Sequence, residues 1–241
     1  MASLVRLYRP GTLAYADALI WMRESHAALA NGEGVERLAL LQHPPVYTVG
    51  ARGGTSHLLV PTTELAARGV ELEEVDRGGD ITFHGPGQLV AYPILDLRRR
   101  ELRATDYVRA LEQIVIDALA ILDVPAQRIP SRPGVWTTLD RASVTPEKIA
   151  AIGVRIRRGV STHGLALNVS TDLEWFDAIV PCGIADAGVT SLERVLGRAV
   201  TMAEAEAALT TAFVCRFDTE LVEQDTDETA RDALTTGTAS G

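Results

Sequence analysis

Helix-period and strand-period stretches do not alternate regularly along this 241-residue chain, which argues against the repeated βαβ units of a doubly wound or barrel fold. A first helix is predicted over "TLAYADALIWMRESHAALANG" (12–32), where Leu13, Ala16, Leu19, Ile20 and Leu29 share a face and Asn31-Gly32 closes it. A second fits "TDYVRALEQIVIDALAILDV" (105–124), with Leu111, Ile114, Val115, Ala118, Leu119 and Leu122 on one side. A third covers "TMAEAEAALTTAFVCRF" (201–217), and short helices fit "PTTELAARG" (61–69) and the stretch around "LEWFDAIV" (173–180). Strands are predicted in "RLALLQHPPVYTVG", "VELEEVDRGGD", "QLVAYPILDL", "GVWTTL", "KIAAIGVRIR" and "VSTHGLALNV". Helices at the ends and in one central insert, with strands between them, define an α+β class with a mixed or antiparallel sheet.

With 46% hydrophobic residues the chain can bury a single core, and residues 1–217 are expected to form one domain. The acidic stretch 218–241, "DTELVEQDTDETARDALTTGTASG", is expected to be a tail whose second half is disordered. A net charge of -9 argues against nucleic-acid binding. The N-terminal stretch does not read as a signal peptide, and no apolar run is long enough to span a bilayer. Two cysteines, Cys182 and Cys215, make no disulfide framework, so the expected location is the reducing cytoplasm.

Three glycine-containing stretches are candidates for chemistry: "RGGDITFHGPGQ" (77–88), "AIGVRIRRGVSTHG" (151–164) and "VPCGIADAGVTSL" (180–192). Glycines there let backbone approach a ligand closely, although none forms a dinucleotide or phosphate-loop fingerprint. Cys182 lies in the third stretch; Cys215 falls in the last helix and is expected to act as a small core residue. Lys148 is the single lysine among 23 lysines and arginines. Arginine cannot usefully exchange a proton, whereas a lysine amine can, and it can also stand as counter-ion to a thiolate. Simple strand alternation puts Lys148 on the face of Ala150, Ile152 and Val154. His43, His57, His84 and His163 show no metal-ligand spacing, and His26 is expected on the solvent side of the first helix. His84 and His163 precede glycines in candidate loops, which leaves a Cys-His pair open as well.

"QHPPVYTVG", "RGGDITFHGPGQLVAYPILDL", "KIAAIGVRIRRGVSTHGLALNV" and "PCGIADAGVTSL", in this order, resemble the octanoyl-[acyl carrier protein]:protein N-octanoyltransferases, the lipoate-protein ligase B family, over residues 4–217. The resemblance implies a mixed sheet with packed helices, as in biotin and lipoate protein ligase catalytic domains, and a Cys/Lys dyad falling on Cys182 and Lys148. It implies substrate contacts from Arg77, Gly78, Gly79, Asp80, Ile81, Thr82, Phe83 and His84, from Ala151, Ile152 and Gly153, and from Gly164, Leu165 and Ala166. Position 83 is more often tyrosine in this motif, so Phe83 lacks a hydroxyl expected there. No cofactor and no metal are implied. The implied donor is octanoyl-acyl carrier protein, and the implied acceptors are lipoyl domains of 2-oxoacid dehydrogenase E2 subunits and the glycine cleavage H protein. Glycines 78, 79, 153 and 164 are expected to let the acyl chain lie against backbone. Arg155, Arg157 and Arg158, or Arg98 to Arg100 with Arg103, are candidate docking cations for these acidic partners. Two other readings stand beside transfer: a Cys-His acyl thioesterase, and a non-catalytic module that binds carrier protein or lipoyl domain.

Overall fold

The computed structural model describes residues 3–138, 146–180 and 188–224. Among them an eight-stranded sheet forms the body, built from β1 (Ser3–Thr12), β2 (Glu36–Gln42), β6 (Gln88–Ile94), β7 (Gln127–Ile129), β8 (Arg132–Thr137), β9 (Glu147–Arg157), β10 (Val160–Asn168) and β11 (Thr219–Glu223). Their order is β11-β1-β2-β6-β10-β9-β8-β7. β1 runs parallel to β2 and to β11, and the other neighbours are antiparallel, so the sheet is mixed as the α+β reading expects. A second sheet, order β4-β3-β5, holds β3 (Val46–Val49), β4 (Glu71–Glu74) and β5 (Ile81–His84).

β6 is central, and every one of its residues is buried. Leu89 and Ala91 face a core with α3 (Ala104–Ile121) and α5 (Met202–Phe217), while Val90, Tyr92 and Ile94 face α1 (Tyr15–Asn31). A strand covered on both faces reads as a continuous apolar run, which is why "QLVAYPI" lacks alternation. Leu111, Ile114, Val115, Ala118 and Leu119 of α3 carry its buried stripe; truncating such a leucine to alanine costs about 2–5 kcal/mol. Gly32 closes α1 in the left-handed conformation, its N–H reaching the Leu29 carbonyl. Two short helices, α2 (Thr62–Ala67) and α4 (Leu192–Leu196), and 3-10 turns at Thr55–His57 and Leu173–Ala178 complete the described fold.

The domain boundary expected at residue 217 moves. Thr219–Glu223 is an edge strand paired in register with Ser3–Leu7, so the first part of the acidic segment belongs to the body. Its second half lies outside the described residues. Cys215 also departs from expectation: Ala212, Phe213 and Phe217 take the buried face of α5, and helical pitch leaves Cys215 exposed. No helix among the described residues is long and apolar enough to cross a membrane.

Candidate active site

Lys148 does not lie on the face that simple alternation assigns it. Val135 of β8 pairs with Ala150, but Trp136 pairs with Lys148, so one step along β8 spans two along β9 and Ile149 is the extra residue of a bulge. Ile149 and Ala150 consequently both enter the core, while Lys148 turns to the opposite side with Ala151. Re-aiming a side chain is what a bulge does at the cost of one unpaired residue. The lysine is 6% exposed, and its ammonium stands 4.8 Å from the Trp136 ring centroid. Gly134 faces its stem, since a Cβ there would come within 3.4 Å of the Lys148 Cε.

Beside Lys148 a narrow cleft of about 10 Å³ is walled by Thr82, Gln88, Ala151, Ala166, Asn168, Phe176 and Val189. Through the shared residues Thr82, Ala151 and Ala166 it adjoins a second cleft of about 40 Å³. Arg77, Gly79, Asp80, Thr82, His84, Ala151, Ile152, Gly153, Gly164, Leu165 and Ala166 line that second cleft, joined by Tyr15, Tyr92 and His163. Most of the residues expected to contact substrate are therefore gathered along one groove leading away from Lys148. A far roomier cavity, about 820 Å³ around Arg100 and Phe217, contains none of them.

Three expected contacts fall elsewhere. In β5 the period of two sends Thr82 and His84 to the groove and Ile81 and Phe83 to the other side. Phe83 packs against Tyr47 and Phe176 and stacks on Trp175, with ring centroids 5.3 Å apart, so a hydroxyl at position 83 would sit in that aromatic cluster. Gly78 turns its carbonyl toward Gly153 and gives its N–H to the Val154 carbonyl. Glycine also serves a different purpose from the one expected at 153 and 164. The space a Cβ would take is filled by the Gly78 carbonyl at 2.8 Å in one case and the Ala91 carbonyl at 2.0 Å in the other. These glycines let protein segments meet one another, and the groove gains from the close packing only indirectly.

The polar residues of the groove are largely tied to each other. His84 Nδ1–H donates to Gln88 Oε1 at 2.7 Å, and the Gln88 amide donates to Asn168 Oδ1 at 2.9 Å. The Asn168 amide donates in turn to the Thr190 carbonyl. Behind them His43 Nδ1–H donates to the Leu13 carbonyl, and its Nε2 accepts from the Tyr92 hydroxyl at 2.8 Å. The Arg77 guanidinium is buried on the Thr48 hydroxyl and carbonyl. Burial lowers His43 to about 4. Burial, then the charges of His43 and Arg77, lowers His84 to about 3. Burial, with Arg77 and Arg155, lowers His163 to about 3. At neutral pH these rings are uncharged. His26 is half-buried and its Nε2 meets the Arg157 carbonyl, so it faces the sheet and not open solvent.

Cys182 lies outside the described residues. Both flanks of its segment are held: Val180 donates to the His57 carbonyl, and the Lys148 N–H donates to the Gly188 carbonyl at 2.9 Å. Thr190 returns a bond to the Lys148 carbonyl. His57 carries a short contact to the Asp80 carboxylate, on the groove side. Of the arginine groups, Arg98 and Arg99 pair with Asp96 and Arg100 with Glu36, while Arg103 is exposed. Arg155 pairs with Asp76, and Arg157 and Arg158 are exposed. No group of three or more candidate metal ligands occurs among the described residues.

Gln88 and Asn168 stand in the quoted motifs "HGPGQLV" and "LALNV" yet were not among the expected contacts; a polar residue in an otherwise apolar strand was the available signal. Tyr15 offered none, since it is one aromatic residue of a helix face far away in sequence.

The chain matches the lipoyl protein ligase A/B catalytic domain over residues 14–214. It is 50% identical over 197 residues to an octanoyltransferase of Acidobacterium capsulatum, covering 79% of this chain and 80% of that protein. It is 45% identical over 221 residues to an octanoyltransferase of Myxococcus xanthus, covering 91% of this chain but 61% of that longer protein. In three dimensions it is similar to a bipartite lipoate protein ligase of Thermoplasma acidophilum, with a TM-score of 0.73 at 18% identity, covering 98% and 93% of the two chains. Fold and groove thus define a catalytic domain of the lipoyl protein ligase A/B class. Within that class the chain belongs to the octanoyltransferase family of acyltransferases.

Proposed function

We propose that the protein transfers an octanoyl group from octanoyl-acyl carrier protein to the target lysine of a lipoyl domain, through a thioester on Cys182. The observation that carries this reading is Lys148: the chain's single lysine, turned by a bulge to the head of a groove, with its backbone paired to Gly188 and Thr190 just beyond the Cys182 segment. Acceptors of the same kind follow, namely lipoyl domains of 2-oxoacid dehydrogenase E2 subunits and the glycine cleavage H protein. The relatives' names and the groove's composition support the octanoyl cargo.

In the resting enzyme Cys182 is a thiolate and Lys148 its ammonium partner. The thiolate attacks the donor thioester, the carrier's sulfur leaves, and Lys148 gives it a proton. Exchange of one thioester for another is close to isoenergetic, so no nucleotide is consumed. The acceptor amine then attacks the acyl-enzyme, the now neutral Lys148 takes its proton, and Cys182 departs as thiolate, which restores the starting pair. Conversion of thioester to amide draws the sequence forward. Burying about seven methylenes at about 0.8 kcal/mol each supplies about 5–6 kcal/mol of recognition.

A second reading, hydrolysis of the acyl group, draws on one observation: the His57–Asp80 pair beside Val180 has the form of an oriented general base. Intact-protein mass spectrometry after mixing with octanoyl-carrier protein separates the two. Transfer predicts an octanoyl adduct on Cys182 that persists in buffer and is discharged by a lipoyl domain. Decay in buffer alone favours hydrolysis, and no adduct leaves a binding module.

A further inference from the structure

We infer that His163 ends the acyl groove and sets the longest chain the enzyme accepts, an inference that rests on the octanoyl-transfer reading. His163 belongs to the linings of two cavities at once and is the one residue they have in common. On one side is the cleft that adjoins Lys148 through Thr82, Ala151 and Ala166. On the other is a cavity of about 400 Å³ among Met22, Arg23, His26, Asp76 and Arg155.

Its distance along the groove is consistent with such a stop. In the β9–β10 register His163 faces Val154, six residues from Lys148, about 20 Å of extended strand. An eight-carbon chain at about 1.5 Å per bond covers roughly half of that span. The lysine side chain and the reacting carbonyl take up the remainder.

The ring is also held more firmly than packing alone requires. It is 3% exposed, and Nε2–H donates to Asp76 at 2.8 Å, Asp76 being paired in turn with Arg155. Its backbone sits at φ +57 within β10, a conformation uncommon for a residue with a side chain. Nδ1 is buried with no hydrogen-bond partner. A histidine kept in an unfavourable backbone state, with one nitrogen unsatisfied, is retained for the shape it gives the wall.

His163→Gly tests this directly, because glycine removes the wall and adopts that φ freely, so the strand is preserved. The measurement is kcat/KM for acyl-carrier thioesters from six to fourteen carbons, with a lipoyl domain as acceptor. The expected result is that the ratio of dodecanoyl to octanoyl transfer rises at least tenfold over the wild type. His163→Asn, also tolerant of positive φ, should move the ratio the same way by less, and it decides the matter if the glycine variant does not fold. An unchanged ratio, or an equal loss at every length, overturns the inference while leaving octanoyl transfer intact. A wild-type protein that transfers no octanoyl group overturns the functional reading itself.

Discussion

Arginine in place of Lys148 keeps a cation at the head of the groove but cannot take up and return a proton at each turnover. Lys148→Arg should therefore lower kcat about 10²- to 10⁴-fold with the fold intact, as read by octanoyl transfer alongside circular dichroism. Near-normal turnover would remove the proton-carrier role. The sequence singles this residue out as the lone lysine, but the face it occupies was not legible. Alternation predicts the side of Ala150, and a single extra residue at Ile149 reverses it, because a bulge is set by the partner strand and leaves no mark in its own. The same limit explains "RGGDITFH": the motif names a stretch, but the pleat divides it, sending Thr82 and His84 to the groove and Ile81 and Phe83 into an aromatic cluster.

Among elements, the long helices and most strands of the sheet's interior were readable from period and length, whereas β1, β5, β7 and β11 were missed. β1 contains Pro10-Gly11, which reads as a turn, and β11 is written in the acidic language of a tail. β11 is the sheet's edge and β1 its neighbour, and their pairing with each other supplies the stability that local sequence lacks. Ending the chain after Asp218 would strip the β1 edge and the Arg9–Glu223 and Arg6–Gln224 contacts. Against a chain ending after Gln224, we expect a loss of about 2 kcal/mol and a fall in Tm of about 4–8 °C by calorimetry. Equal melting of the two would show that β11 contributes nothing to the body.

For the molecule as a whole, His43 just past β2, His84 in β5 of the smaller sheet and His163 in β10 of the larger one meet only in the folded protein, so nothing in their spacing announced them. Their folded values of about 4, 3 and 3 lie below the ordinary 6.5. Between those limits the unfolded chain binds more protons, so the stability they confer is complete above about pH 6.5 and drains away as pH falls toward 3. Each costs about 1.4 kcal/mol per pH unit in that window, roughly 2 kcal/mol by pH 5. Urea unfolding from pH 7.5 to 4.5 should show an uptake approaching three protons; a flat profile would contradict buried neutral rings. The sole lysine carries one last implication. With its amine enclosed and every other basic side chain except histidine an arginine, the protein exposes no side-chain amine of its own that could intercept an activated acyl cargo. Amine-directed crosslinkers and fluorophores should accordingly mark its protein partners far more heavily than the enzyme that serves them.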